Sequence, residues 1–151
     1  MDIIHRLSDS DLGFEEKQEK ELKKEQLAKY IILDNSGQIA MIPKNDTYRL
    51  PKSEHFNDTS FDVDGIPCEL NSYLGVIEEK RGQEKIAYDI SVIVARATKK
   101  DDILIKWMQP EEVMKIIGTK KKNLELEEYR DKYEILEDER ILREYFIKFI
   151  Y

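Results

Sequence analysis

The sequence predicts an α/β fold, in which a mixed, twisted β-sheet carries packed helices and a long C-terminal helical segment. Runs rich in Ile, Val and Tyr alternate with turn-forming residues, and the longest such run covers residues 86–97. Between residues 124 and 151, apolar residues recur at three- and four-residue steps, which is typical of an amphipathic helix. A chain of 151 residues fits one domain over residues 1–151.

The first part of the chain predicts an edge strand and a hairpin. Residues 3–7 are a short apolar-rich run that suits the edge of a sheet. Residues 14–26 alternate acidic and basic side chains, which leaves an exposed helix, a charged connector and a strand as alternatives. Two aliphatic runs, residues 30–33 and 38–42, flank an Asp-Asn-Ser-Gly turn at 34–37, and this pattern predicts a β-hairpin.

The middle of the chain predicts strands around a loop. Residues 48–50 suit a short strand, and the polar, Asp-rich segment 52–65 lacks a helical period and predicts a loop or at most one helical turn. Residues 69–77 predict a strand with a bulge at Gly75, followed by a turn at residues 80–83.

The last third predicts one strand and then helices. Residues 103–108 are strand-like, and Pro110 in a first turn rich in carboxylates predicts a helix that ends at Gly118. The segment 124–151 predicts one long helix or two helices broken near residues 137–139. Its aromatic residues predict packing against the sheet or another subunit.

Charged side chains of the C-terminal segment predict a solvated helix face. Glu134, Glu137 and Asp138 are assigned to this face, because charged residues rarely enter a core.

Composition and charge exclude several classes of partner. The net charge of −7 disfavours binding to nucleic acid or an anionic membrane, because both carry negative phosphates. No stretch approaches the roughly 20 apolar residues of a membrane helix, and no signal peptide is recognisable. Cys68 is the only cysteine, so we expect no intramolecular disulfide, a cytoplasmic location and a half-buried, unreactive thiol.

Six segments of the chain form a recognisable order, namely Asp11-Leu12-Gly13, residues 31–42, Tyr48-Arg49-Leu50-Pro51, residues 65–81, residues 106–117 and residues 137–146. Taken in this order, they resemble the Nudix superfamily and in particular small bacterial MutT-like proteins. The resemblance implies a Nudix-like fold.

The catalytic box of that family is not recognisable here. Nudix hydrolases carry G-x5-E-x7-R-E-U-x-E-E-x-G-U, where U is aliphatic, between borders that resemble residues 48–51 and 73–79. The intervening segment 52–65 is too short and contains no Arg-Glu-x-x-Glu-Glu. In the family, glutamates of the box bind Mg²⁺ or Mn²⁺ and activate water on a diphosphate. The resemblance leaves four carboxylates as candidates for weak Mg²⁺ or Mn²⁺ binding, namely Glu54, Asp58, Asp62 and Asp64.

The resemblance therefore implies a Nudix-like protein with weak or no catalysis, which binds a nucleotide, a small phosphate ligand, a partner protein or a second copy of itself. Its candidates for ligand contact are Arg49, Glu78 and Trp107, although Trp107 also suits a core or cleft-rim position. One alternative is an active, metal-dependent pyrophosphohydrolase of nucleoside diphosphate derivatives with unorthodox carboxylate ligands. Another is a structural protein that dimerises through its aromatic C-terminal helix.

Overall fold

A computed structural model describes residues 2–16, 21–54, 60–100 and 104–151. In this part of the chain the strands are β1 (Ile3–Ser8), β2 (Lys23–Leu33), β3 (Ile39–Lys44), β4 (Thr47–Arg49), β5 (Lys52–Ser53), β6 (Ser60–Val63), β7 (Ile66–Arg81), β8 (Ile86–Ala97) and β9 (Lys106–Met108). The helices are α1 (Pro110–Lys122) and α2 (Tyr129–Tyr145), and a π-helical turn, Phe146–Ile150, continues α2. No helix in these residues combines the length and the apolar character needed to cross a membrane.

The strands form one mixed sheet in the order β1-β7-β8-β2-β3-β4. β1 is parallel to β7 and β2 is parallel to β8, whereas β7 with β8, β2 with β3, and β3 with β4 are antiparallel. Outside this path, β5 pairs with β2, β6 with β7 and β9 with β3. The predicted mixed sheet with packed helices is thereby confirmed.

Both faces of the sheet are covered by apolar side chains. Strand alternation sends Leu27, Lys29 and Ile31 of β2 towards the helices, while Ala28 and Tyr30 face the other way. On the helix side, the core combines sheet residues with α1 and α2 residues such as Val113, Ile117, Leu136, Ile141 and Phe146. On the other side, the buried residues come from β2, β3, β6, β7 and β8 and include Cys68, which is fully buried where the sequence predicted a half-buried residue.

Gly75 allows β1 to approach β7 closely. The register of β7 against β8 shifts on both sides of Tyr73, which confirms the predicted bulge. Gly75 has a φ of 145°, and a Cβ at this position would lie 2.6 Å from the Asp2 carbonyl oxygen and 2.6 Å from Ile4 Cγ2. Only glycine tolerates both this positive φ angle and the lack of space for a Cβ. β1 is the predicted edge strand.

A buried aspartate ties the start of the chain to α2. Asp9 is 2% exposed, and its Oδ1 accepts hydrogen bonds from the hydroxyls of Tyr129 and Tyr133, both at 2.5 Å. Its Oδ2 accepts the backbone N–H of Gln83 at 3.2 Å. The carboxylate therefore holds together the segment after β1, the β7–β8 turn and the first turns of α2.

Two of the local predictions are confirmed closely. Residues 86–97 form β8 with the predicted bounds. The hairpin of β2 and β3 is also present, with Leu33 opposite Ile39, and Asp34 Oδ1 accepts the backbone N–H groups of Ser36 and Gln38.

Other predictions are wrong at their boundaries. Gly118 does not end α1, which continues to Lys122, because a glycine inside a helix costs only about 1 kcal/mol relative to alanine. Of the two alternatives for the C-terminal segment, one long helix is confirmed, since α2 is continuous from Tyr129 to Tyr145 and has no break near residues 137–139. The open question over residues 14–26 is answered for residues 23–26, which are the start of β2.

The loop predicted over residues 52–65 is largely replaced by strands where the structure describes it. Residues 52–53 and 60–63 form β5 and β6, while residues 55–59 lie outside the described part of the chain. Asp64 and Gly65, with φ of 51° and 85°, make a two-residue hairpin turn between β6 and β7. An Asp-Gly pair flanked by Val63 and Ile66 is a strong hairpin signal that the sequence contained.

Candidate functional site

A charged cleft lies where α2 crosses the sheet, and a fully buried lysine binds one of the carboxylates that line it. Lys29 Nζ donates to Glu137 Oε1 at 3.2 Å and to Asp138 Oδ1. Burial alone would lower the pKa of Lys29, but the charges of Asp138 and Glu137 outweigh it and raise this pKa above its ordinary value. Lys29 is therefore a permanent cation under α2.

A second cation, Arg81, lies beside the first. Its Nη2 donates to Glu137 Oε2 at 3.1 Å, its Nε contacts Glu79 Oε1, and its guanidinium lies 4.5 Å from the centre of the Tyr88 ring. Arg81 can reach Glu137 because strand alternation places both Glu79 and Arg81 of β7 on the helix-covered face. Arg81 thus joins β7, β8 and α2.

The two carboxyl groups beside Arg81 have opposite protonation states at neutral pH. Burial and the nearby Glu137 raise the pKa of Glu79 to about 10, so Glu79 keeps its proton and hydrogen-bonds Glu137. Burial also opposes ionisation of Glu137, but the charge of Lys29, the hydrogen bond to Glu79 and the charge of Arg81 lower its pKa. The Glu137 carboxylate therefore lies between two cations, Lys29 and Arg81.

The rim of the cleft holds a third carboxylate, Glu134, which bridges two lysines. Lys44 Nζ donates to Glu134 Oε1 at 2.7 Å, and Lys52 Nζ donates to Oε2 at 3.0 Å. Lys44 also binds Asp131 Oδ1 at 2.8 Å. Burial opposes ionisation of Glu134, but the charge of Lys29 and the contacts with Lys44 and Lys52 lower its pKa to about 2.

These groups surround a cavity of about 350 Å³, a size suited to a small organic ligand. Four cations and four carboxylates line it, together with Leu27, Ile86 and Tyr88; the charged residues are Lys44, Lys52, Arg81, Arg130, Glu84, Asp131, Glu134 and Glu137. The three uncharged residues also border a neighbouring groove of about 750 Å³, to which Glu54 contributes. We call the smaller cavity the α2 cleft.

The cations of the α2 cleft are in general more exposed than the carboxylates they bind. Lys52 is 40% exposed and Lys44 31%, against 9% for Glu134, and Arg130 is 78% exposed against 15% for Glu84. There are two exceptions: Asp131 is as exposed as its partner Lys44, and Glu84, at 15%, is slightly more exposed than Arg81, at 11%. A molecule that enters the cleft therefore meets ammonium and guanidinium groups before most of the carboxylates.

The three residues predicted to contact a ligand do not line this cleft. Arg49 binds Asp64 through both terminal nitrogens, each at 3.2 Å. Glu78 pairs with Arg6 at the β1 edge, and Trp107 lies beneath Lys100, whose Nζ is 4.8 Å from the ring centre. The roles of Arg49, Glu78 and Trp107 in ligand binding stay predictions.

The structure describes three of the four predicted metal ligands. Asp58 lies outside the described residues, Glu54 is exposed beside the larger groove, and Asp62 is exposed on β6. Asp64 accepts hydrogen bonds from Arg49 and from the backbone N–H of Lys52. Across residues 2–16, 21–54, 60–100 and 104–151, no group of three or more His, Cys, Asp or Glu side chains is arranged to hold a metal ion.

The solvated helix face predicted for Glu134, Glu137 and Asp138 is wrong. All three side chains are buried, at 9%, 2% and 0% exposure, because Lys29, Arg81, Lys44 and Lys52 neutralise them under α2. The sequence offered one signal, since Lys29 occupies an inward position in the apolar half of β2, residues 27–33, and therefore requires a buried anion.

No family model matches the sequence, and no curated protein matches it. Among solved structures, the chain is similar to "NUDIX hydrolase from Nitrosomonas europaea", with 11% sequence identity, a TM-score of 0.46, and coverage of 77% of this chain and 88% of that chain. A TM-score of this size does not establish a fold family, so membership of the Nudix superfamily stays a prediction.

Proposed function

We propose that this protein is a binding domain without hydrolase activity, and that its α2 cleft takes a small phosphate-bearing ligand such as a nucleotide. One observation carries the proposal: the carboxylates of α2 that face the sheet are bound to lysine or arginine, and the cations form the more exposed side of most of these pairs.

The pairing argues against metal-dependent hydrolysis in the cleft. Mg²⁺ and Mn²⁺ chemistry on a diphosphate requires several free carboxylate oxygens that converge on the ion. Here Glu137 is shared by Lys29 and Arg81, and Glu134 is shared by Lys44 and Lys52. A metal would have to displace two cations from each carboxylate.

Unused hydrogen-bond donors favour an anionic ligand. An ammonium has three N–H donors and a guanidinium has five. Among the described residues, Lys52 Nζ donates only to Glu134, and Arg130 donates only through its Nε, to Glu84. The remaining donors of these exposed side chains are free to bind phosphate oxygens, and the nearby ring of Tyr88 offers a face for an apolar or planar group.

Calorimetry with a panel of nucleoside mono- and diphosphates tests the binding. We expect saturable binding that weakens by roughly tenfold in Lys52→Met, since a charge-assisted hydrogen bond contributes about 1.5–3 kcal/mol. Lys115→Met, which removes an exposed lysine of α1, is the matched control and should leave the affinity unchanged. Equal affinities of all three proteins would refute the cleft as the binding site.

A hydrolysis assay on nucleoside diphosphate derivatives tests the absence of catalysis. With Mg²⁺ or Mn²⁺ we expect phosphate release near background, because the metal-borne stabilisation of the transition state, worth several kcal/mol, is missing. Robust turnover that Asp62→Asn abolishes would instead support the hydrolase with unorthodox carboxylates.

Self-association is a second candidate role, and the exposed apolar C-terminal turn favours it. Ile147, Phe149, Ile150 and Tyr151 are 56%, 45%, 42% and 88% exposed. Apolar groups clustered at a surface are typical of interaction sites. Light scattering on a size-exclusion column tests this role, and a monomer at high protein concentration would reject it.

A further inference from the structure

The position of Glu134 is one where a negative charge is strongly stabilised. Its two carboxylate oxygens bind Lys44 and Lys52, which come from β3 and β5, and the buried Lys29 and the half-buried Lys120 also lie within electrostatic range. Four lysines therefore favour a negative charge at this position, and the Glu134 carboxylate supplies that charge.

The two lysines differ in what they lose when Glu134 moves away. Lys44 keeps Asp131 as a partner at 2.8 Å. Lys52 has no second carboxylate among the described residues, and its side chain is 40% exposed. Departure of Glu134 would therefore leave Lys52 as an unpaired cation at the mouth of the α2 cleft, with solvent access for an incoming anion.

We infer that Glu134 occupies the anion subsite of the α2 cleft, and that an incoming phosphate group displaces its carboxylate from Lys52 in order to bind. This inference rests on the proposed function, because it presumes that the cleft takes a phosphate-bearing ligand. It adds a selectivity: a carboxylate is a monoanion with two oxygens, so a terminal phosphate with a higher charge and three oxygens competes with it better than a ligand carboxylate does.

The strength of the ion pair between Lys52 and Glu134 determines how much the loss of Glu134 should raise the affinity for phosphate. A partly exposed ion pair contributes up to about 1 kcal/mol, and this amount opposes any ligand that must break the pair between Lys52 and Glu134. Removing the charge of Glu134 should therefore strengthen phosphate binding by about fivefold.

Titration with inorganic pyrophosphate tests this inference in wild type, Glu134→Gln and Asp131→Asn. Asp131 also lines the cleft and also binds Lys44, so Asp131→Asn makes the same change in net charge without touching Lys52. We expect a gain of about fivefold in Glu134→Gln and a gain below twofold in Asp131→Asn. Equal gains in affinity for both variants would mean that the change in net charge alone explains the result. Weaker pyrophosphate binding by a folded Glu134→Gln would mean that Glu134 positions the lysines for the ligand. Either result overturns the inference.

A second variant covers the case in which Glu134→Gln does not fold. Glu134→Asp keeps the charge but shortens the side chain by one methylene, which draws the carboxylate away from Lys44 and Lys52 and weakens its hold on both. We expect it to bind pyrophosphate more tightly than wild type, and unchanged affinity would contradict us. Failure of the proposed function looks different: neither wild type nor any Glu134 variant would then bind pyrophosphate in a manner that depends on Lys52.

Discussion

Replacing Lys29 with methionine removes the central cation under α2 while keeping a similar side-chain length. The Nζ of Lys29 lies 3.2 Å from Glu137 and also contacts Asp138, and none of these three side chains is more than 2% exposed. Removing one partner of a buried ion pair costs about 3–5 kcal/mol, because the other charge stays buried without compensation. Against a typical domain stability of about 5–15 kcal/mol, Lys29→Met should lose about a fifth or more of the free energy of unfolding.

Urea unfolding followed by circular dichroism measures this loss. Lys106→Met, on the exposed side of β9, is the control and should stay within about 0.5 kcal/mol of wild type. The second substitution in Lys29→Met/Asp138→Asn removes one of the stranded carboxylates, so the double variant should recover part of the lost stability. The deficit of Lys29→Met should also shrink as the pH falls, because protonated carboxyls no longer need the cation. A loss below about 1 kcal/mol with an unchanged urea dependence would show that the buried network is dispensable.

Three further predictions concern stability. The pKa of Glu79 is about 10 in the folded state and 4.5 ordinarily, so the folded state binds this proton more tightly than the unfolded state does. The free energy of unfolding of the wild type should therefore fall as the pH rises from 4.5 to 10. The slope is at most about 1.4 kcal/mol per pH unit. Glu79→Gln should flatten that dependence in urea melts at pH 5, 7 and 9, and parallel curves for the two proteins would contradict the assignment. Gly118→Ala should raise the free energy of unfolding by about 0.5–1 kcal/mol in the same assay, because a Cβ there meets no atom within 4 Å; a destabilised variant would show that the helix needs glycine. Deleting residues 143–151 removes the buried Tyr145 and Phe146 and should lower the melting temperature or cause aggregation, whereas an unchanged melting curve would mean that this segment does not contribute to the core.

Elements with a clear period were predictable from the sequence. Residues 86–97 are rich in Ile, Val and Ala, and the uninterrupted apolar run from Val92 to Ala95 follows from burial of both faces of β8 there. The Asp34 turn was predictable because its residues satisfy one another locally. In both cases neighbouring residues decide the structure.

The α2 cleft was not predictable in the same way, because its residues are brought together only by the tertiary fold. Glu137 and Asp138 lie more than 100 positions after Lys29, with separations of 108 and 109. Charged residues on a helix are usually solvated, so the expectation for Glu134 and its neighbours followed the common case. The start of β2 is similar: Lys23–Gln26 is a strand because β8 offers it a complete parallel partner, in spite of its charges.

The link between Asp9 and the tyrosines of α2 has a consequence for the order of folding. Asp9 and Tyr133 are separated by 124 positions, and Arg6 and Glu78, which pair across β1 and β7, by 72. On the ribosome the first strand is made early, yet its partner strand and the hydroxyls that bind Asp9 emerge much later. Until then, β1 has neither its sheet partner nor the α2 contacts that bury Asp9. Contacts this distant in sequence slow folding, so we expect the amino-terminal segment to be the last part to join the native structure and the part most exposed to chaperones during synthesis.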